Sequence, residues 1–410
     1  MSTRGSERGD NRLFGSKNAG KGKMKTILPP KNYMTLRDND TIQVPNLINI
    51  YRHEYKSKHF TFGTSMSTEN YHSELTHSVQ HCTNMIQELK MKDDDLRWIG
   101  DEMNYTEDWP VKSKFFRIAQ LNVNGFSFAS DNFKIDVYLQ GLMALQVDVA
   151  AIQEINLNLS IQKIREDFTK AMKRFDQRSS LQLATIRHKE NEEVYKPGGN
   201  AVWSNGLYTG RIKRKGQDKY GRWAYIVLIG KDMQEIMIIS AYNTCKNAAV
   251  DGRTIAGQLV RAMHKANNNS KFNLRKAFFQ DMQEFILKEI NQGTEIILAM
   301  DANTPDTAEE LQTLKLHTSM LDVYKIKHPK KQHPRTYYRG SQCLDYILAT
   351  PHIARGIEKV GYAPFYMMGK YDHRLLYVDF KWDYVFNHKP DITQARGRQL
   401  SVNNRRITKL

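Results

Sequence analysis

The 410-residue sequence predicts an α/β protein in which two mixed β-sheets pack face to face, with helices outside. Three observations lead there. From Phe115 onward, apolar runs of strand length alternate with stretches of helical period. Some neighbouring strands are separated by a helix, while others follow across a hairpin-length link such as Lys231-Asp232-Met233-Gln234, so parallel and antiparallel pairs are both expected. The hydrophobic content, 40%, is enough to bury a sizeable core.

Residues 1–30 are rich in Gly, Ser, Asn and Lys and end in Pro29-Pro30, which reads as a disordered basic tail. Residues 31–110 are polar, with a helical pattern over 67–92 and an acidic cluster at Asp93-Asp94-Asp95. They are expected to be a partly helical extension or a linker, with no chemistry assigned. The main domain is expected over 111–383. Its strands are placed at 115–123, 147–155, 200–206, 223–230, 235–243, 294–301, 343–349 and 375–380, and its helices at 132–146, 160–175, 255–267 and 273–291. In the last helix Leu274, Phe278, Phe279, Met282, Phe285, Ile286 and Ile290 recur near a 3.6-residue period, the stripe of a core-facing helix. Residues 384–410 are basic and nearly free of aromatics, a plain tail or a linker into a longer polyprotein.

The charge is strongly positive. Sixty-one Lys and Arg stand against 44 Asp and Glu, a net of +17. Residues 1–30 and 384–410 each carry +5, so the middle of the chain is only mildly basic. Such a balance suits a polyanionic partner, and equally a basic but otherwise ordinary protein. Cys82, Cys245 and Cys343 are far apart and in no CxxC spacing, which argues against a disulfide framework or a zinc site and for a reducing compartment. No apolar run approaches a membrane span, and the N-terminus lacks a secretory apolar stretch. An intracellular protein is expected, with the basic N-terminus suited to nuclear import, to nucleic-acid contact or to nothing beyond solvation.

Five segments place polar residues where an apolar strand ends. They deliver Asn122, Asn124 and Gly125; Gln153 and Glu154; Tyr242 and Asn243; Asp301 and Asn303; and, as a pair, Asp345 with Asp372-His373. Singly, each is as readily a turn, a cap or a surface group. Together, Asp, Glu and Asn oxygens suit Mg²⁺, which keeps several waters, and a His beside an Asp suits a polarised imidazole. That set is a kit for metal-assisted attack of water on a phosphodiester.

In this order the motifs resemble those of the endonuclease/exonuclease/phosphatase superfamily, from about Phe115 to Trp382. LNVNG resembles its opening motif, IQE its metal glutamate and MDAN its GD-x-N segment. TYYRGSQCLDYIL resembles its TYW…R-I-D-Y-I-L stretch, and YDH its terminal SDH. The resemblance implies a four-layered α/β sandwich and Mg²⁺ (or Mn²⁺) as cofactor. It implies that Glu154 is the principal metal ligand with Asn124 and Asp372 nearby, and that Asp301 orients or deprotonates the attacking water. Asn122 and Asn303 would hold the scissile phosphate, Tyr242 would lie by it, and His373, oriented by Asp345, would bond a phosphate oxygen. Tyr371 replaces the Ser of SDH, Tyr338 stands where Trp is common, and Cys245 replaces a Pro- or Asn-containing turn. The segments KPGGNAVWSNGLYTGRI and ISAYNTCKN further resemble mobile-element endonuclease domains.

Residues 211–222 hold six basic side chains and one acidic between two strands, and are expected to form a loop or hairpin presenting Arg211, Lys213, Arg214, Lys215 and Arg222 to a phosphate backbone, or else a merely solvated loop. Lys327, Lys330, Lys331, Arg335 and Arg339 form a second basic stretch. The implied partner is nucleic acid, foremost double-stranded DNA, with no membrane and no small-molecule cofactor. The rivals are a phosphatase or RNA-directed nuclease of the same fold, and a binding module that has lost catalysis.

Overall fold

A computed structural model describes residues 93–103, 115–126, 133–186, 194–246, 250, 254–267, 273–365, 367–368 and 371–387. The expected N-terminal tail, the C-terminal tail from residue 388, and the helix placed at 67–92 lie outside the described residues. In chain order the elements are β1 (Ile99–Gly100), β2 (Phe115–Asn122), α1 (Phe133–Ala144), β3 (Val149–Gln153), α2 (Gln162–Met172), β4 (Ser180–Ala184), β5 (Asn200–Ser204), β6 (Ile212–Gln217), β7 (Trp223–Ile229) and β8 (Glu235–Tyr242). They continue with α3 (Ile255–Asn267), α4 (Leu274–Ile290), β9 (Glu295–Asp301), α5 (Glu309–Thr318), β10 (Leu321–Asp322), α6 (Val323–Lys327), β11 (Asp345–Ala349), α7 (Pro351–Ala354), β12 (Ile357–Tyr362), β13 (Leu376–Lys381) and α8 (Trp382–Phe386).

The strands form two mixed sheets, β1-β12-β13-β2-β3-β5-β4 and β10-β11-β9-β8-β7-β6. Each contains one parallel pair, β2 with β3 and β8 with β9. Helix-bearing crossovers join those two pairs, and the other pairings are antiparallel, as the mixture of links implied. Alternation sorts the side chains into layers. Phe116, Ile118, Val149, Ala151 and Val202 pack with the apolar residues of the second sheet. Ala119, Leu121, Ala150, Ile152 and Trp203 instead pack with Tyr138, Leu142, Phe168 and Met172 of α1 and α2. Because both faces of β3 are covered, its sequence is apolar throughout until Gln153. On the second sheet, Phe278, Phe279, Met282 and Ile286 of α4 form the covering stripe, with Trp223 packed edge-on against Phe278.

The sandwich reaches past the expected limits of 111–383. β1 pairs with β12, and α8 closes against the core through Trp382, Val385 and Phe386. Gly361 is what lets β1 in: a Cβ there would sit 2.0 Å from the Asp101 carbonyl oxygen. Of the two forms expected for the basic segment, the structure has the hairpin: residues 212–217 are an edge strand, β6, hydrogen-bonded to β7. Charged side chains on an edge strand discourage pairing with another chain, and here they masked its period-2 pattern.

Candidate active site

The register of the sheets brings the polar segments to one edge. β2 and β3 run parallel and end together at Asn122 and Gln153, and β8 and β9 end together at Tyr242 and Asp301. Asp345 differs from the expectation of a strand C-terminus, while Asp372-His373 lie just before the final strand, as read from the sequence. Asp345 begins β11 and His373 precedes β13, and both strands run antiparallel to their neighbours, so these residues reach the same edge from the other direction.

Towards that edge the layer between the sheets changes from apolar to polar. Gln120 donates to Gln153 Oε1 (3.0 Å) and to Asp345 Oδ1 (2.8 Å), Gln153 donates to Ser240 Oγ (3.0 Å), and Ser240 donates to the Ile152 carbonyl (3.0 Å). All four side chains are fully buried. These bonds leave only Gln120 Oε1 of the four side chains' buried oxygens without a partner, and the layer forms a floor beneath the site.

On that floor, Asp345 Oδ2 lies 2.8 Å from His373 Nδ1. Asn122 donates to Asp301 Oδ2 at 2.8 Å, and the Asn303 amide donates to Asp301 Oδ1 at 2.9 Å. Single donor atoms of Asp301, Asp345 and His373 lie within 4.8 Å of one another. Burial, then the charges of Asp345 and Glu154, push the Asp301 carboxyl up to about 8, against the pull of His373 and the Asn122 bond. Burial works against the His373 imidazolium, yet Asp345, through its charge and its hydrogen bond, together with Asp301 and Asp372, raises that ring to about 10. A charged imidazole and a carboxylate poised near neutrality therefore sit side by side.

At the open rim, Asn124 donates to Asp372 Oδ2 at 2.9 Å, and its own amide donates to Asn122 Oδ1. Glu154, half-buried, hydrogen-bonds the Tyr242 hydroxyl, which burial and the nearby carboxylates raise well above its ordinary value. The Gly125 amide donates to the Glu154 carbonyl at 2.7 Å, which joins the two turns that carry Asn124 and Glu154. Asn124, Glu154 and Asn303 all take left-handed backbone angles, φ 43°, 53° and 47°. For residues with a Cβ this costs on the order of 1–2 kcal/mol each, and it bends each strand end so that the side chain faces the site. Asn303 also donates to the Asn243 carbonyl at 2.8 Å and accepts from Cys245 Sγ at 3.3 Å.

Asp372, Glu154 and Asn124 fit a divalent cation. Asp372 Oδ1 is buried without a hydrogen-bond partner, a costly arrangement for a carboxylate oxygen unless a cation takes it up. Oxygen donors from one amide and two carboxylates are the ligand chemistry of Mg²⁺ or Mn²⁺. Asp306, Asp322 and His333, like Asp301, Asp345 and His373, lie close enough together to hold an ion, but the members of the former group are engaged. Asp306 pairs with Lys315, and Asp322 caps α6 while bonding His333.

The sequence reading missed several residues at this edge. Lys134, in the first turn of α1, donates to the carbonyls of Val123 (2.7 Å) and Gly125 (2.5 Å) and lies over the Tyr371 ring. Burial lowers it to about 8 against the charge of Asp372. Tyr371 itself is a core residue, which accounts for the aromatic in place of the expected Ser. Tyr337 stacks against His373 with ring centroids 5.2 Å apart, and the charges of Asp372, Cys245 and Glu154 all reach its hydroxyl. Arg275 donates to the Thr244 carbonyl at 2.5 Å. A lone Lys, Tyr or Arg carries no spacing signal, so only the folded arrangement reveals these three.

The expected backbone-binding residues are placed elsewhere. Lys213, Arg214 and Arg211 lie towards the opposite end of the second sheet, where Lys213 pairs with Glu235 and Arg214 with Glu235 and Glu289. Arg211 lies over the rings of Trp382 and Phe386. Lys215 donates to Ser180. Arg222 reaches the site edge but is buried between Asp218 and Asp281, both bonded at 2.6 Å. A cation already neutralised inside the protein is a poor phosphate ligand, which sets Arg222 apart from the exposed Lys213 and Lys215.

No protein-family model and no curated protein matches the chain. Solved structures do resemble it. An AP endonuclease from Leishmania major matches with a TM-score of 0.51 and 13% identity, over 70% of this chain and 93% of that one. The human Nocturnin catalytic domain matches with a TM-score of 0.46 and 14% identity, over 69% and 96%. An endonuclease/exonuclease/phosphatase family protein from Leptotrichia buccalis matches with a TM-score of 0.38 and 15% identity, over 65% and 100%. Two packed mixed sheets flanked by helices give this chain the fold seen in the AP endonuclease from Leishmania major.

Proposed function

We propose that the protein is a Mg²⁺-dependent phosphodiesterase that nicks double-stranded DNA by attack of water on the phosphodiester, and that it derives from a mobile element. The observation that carries the chemistry is the juxtaposition of Asp301, held by Asn122, with the His373–Asp345 pair on a single sheet edge. Asp301, raised towards neutrality, takes the proton of the attacking water. His373, fixed through Nδ1 by Asp345, donates from its other ring nitrogen to a phosphate oxygen and meets the charge that develops there. Asn122 and Asn303 orient Asp301 and the phosphate, and Tyr242, bonded to Glu154, lines the leaving-group side. A divalent cation held by Glu154, Asp372 and Asn124 would neutralise phosphate charge. The neighbouring fold in Leishmania major belongs to an AP endonuclease, and the net charge of +17 favours a long polyanion over a small ester.

Incubation with supercoiled plasmid in Mg²⁺ or EDTA tests this. Metal-dependent nicking is expected, with Glu154→Gln and His373→Ala each lowering the rate about 100- to 1000-fold. Plasmid binding without nicking would instead identify a binding module. Phosphate release from inositol phosphates with DNA left intact would identify a phosphatase.

A further inference from the structure

The acidic cluster ahead of the domain has no part in the chemistry described so far, yet the fold brings it to the back of the site. His373 lies in a loop held by a two-strand contact with residues 336–338. The Tyr338 amide donates to the Asp372 carbonyl at 2.8 Å and the Arg374 amide to the Thr336 carbonyl at 2.9 Å, either side of the Tyr337–His373 bridge. Each of these two segments carries a buried or half-buried arginine at its base. Arg335 donates to the carbonyls of Tyr338 (2.5 Å) and Gly340 (3.3 Å), closing the strap that presents Tyr337. Arg374, 1% exposed, donates to the carbonyls of Ala363 (2.7 Å), Arg97 (3.2 Å) and Asp94 (2.5 Å).

One carboxylate joins the two. Asp95, 1% exposed, accepts from Arg335 Nε at 3.0 Å and again from its Nη2, and lies 3.6 Å from Arg374 Nη2. Its carbonyl accepts from the Phe365 amide at 2.9 Å, and the Arg374 guanidinium stacks 4.3 Å over the Phe365 ring. Two guanidinium groups this close repel unless a shared anion holds them, and burial makes the dependence steep.

We infer that Asp95 is a positioning residue: through Arg335 and Arg374 it sets the strap carrying Tyr337 and the loop carrying His373 in register, 278 residues away in sequence. That role rests on the proposed one of His373 at the phosphate. The segment before the domain is thereby part of the catalytic apparatus. Loss of Asp95 lets the strap and the His373 loop slide, and a shift of about 1 Å in a catalytic group can cost on the order of 100-fold in rate.

The test compares the full chain with Asp95→Asn and Asp95→Glu in two measurements. Hydrogen exchange of peptides spanning 335–340 and 371–375 reads the clamp without any reaction. Steady-state nicking reads its consequence. Asp95→Asn is expected to raise exchange in those two segments while β3 and β9 stay protected, and to lower kcat tenfold or more at unchanged KM. Asp95→Glu is expected to recover part of both. If Asp95→Asn folds too poorly, Arg335→Gln leaves the Asp95–Arg374 contact intact and is expected to loosen 335–340 and lower kcat the same way. Unchanged exchange in both segments, or loosened segments with wild-type kcat, would overturn the inference. A wild-type protein that nicks nothing would defeat the functional reading alone, because the exchange result still decides whether Asp95 holds the loop.

Discussion

Asp301 and His373 illustrate how burial and charge divide the work between two groups in contact. Burial alone would neutralise both, yet the imidazole faces Asp345 and stays cationic to about 10, while Asp301 faces Asp345 and Glu154 and is raised to about 8. A base acts when ionised and a cationic donor when protonated. Nicking should therefore rise with pH through the Asp301 range and fall above about 10, and Asp301→Asn should abolish the rising limb along with most of the rate. Asn122→Ala gives a sharper check. Its amide bond favours the Asp301 carboxylate, so removing it raises that pKa and should move the acidic limb to higher pH, measured as kcat against pH. A limb that stays in place, or moves down, would assign the base elsewhere.

At the scale of elements, the sequence reading succeeded where strands are buried on both faces. Residues 115–123, 223–230, 235–243 and 294–301 read as largely apolar runs because each is covered on both faces, and each matches its strand within a residue or two. It failed at edges. β4 and β6 border their sheets, and β12 carries Glu358, Lys359 and a glycine forced by the approach of β1, so none shows a clean period. The edge strand β6 carries ion pairs that the sequence conceals. Six basic residues in twelve looked like a loop or hairpin for phosphates, but the ion pairs with Glu235, Glu289 and Asp281 come from residues 21 to 75 positions away, which spacing cannot reveal. Arg222→Ala should consequently act on folding. It leaves buried Asp218 without its cation and is expected to cost about 3–5 kcal/mol in urea unfolding, with plasmid affinity unchanged. A normal unfolding midpoint with weakened DNA binding would restore the original expectation. Phe278→Ala, which removes a fully buried ring from the α4 stripe, is expected to cost about 3–5 kcal/mol by the same measurement.

For the whole molecule the question is where a polyanion is gripped. Chemistry was legible in the sequence because each polar residue ends an apolar run, whereas a binding surface is built from single side chains with no such grammar. The uneven charge remains informative. Residues 1–30 carry seven Lys and Arg against two acids, while the catalytic edge gathers carboxylates that repel a phosphate backbone until a cation screens them. Attraction supplied by a tail should therefore show as salt-dependent affinity and leave the chemistry alone. Each phosphate neutralised contributes about 0.9 to the slope of log affinity against log salt, so deleting residues 1–30 should flatten that slope by several units if most of the seven cations engage the duplex. Binding should weaken most at low salt and converge with the full chain at high salt, and the single-turnover nicking rate at saturating DNA should not change. Titrating both proteins with duplex across a salt series separates the outcomes. An unchanged slope would place the grip within the folded domain, and a lowered single-turnover rate would mean that the tail reaches the site itself.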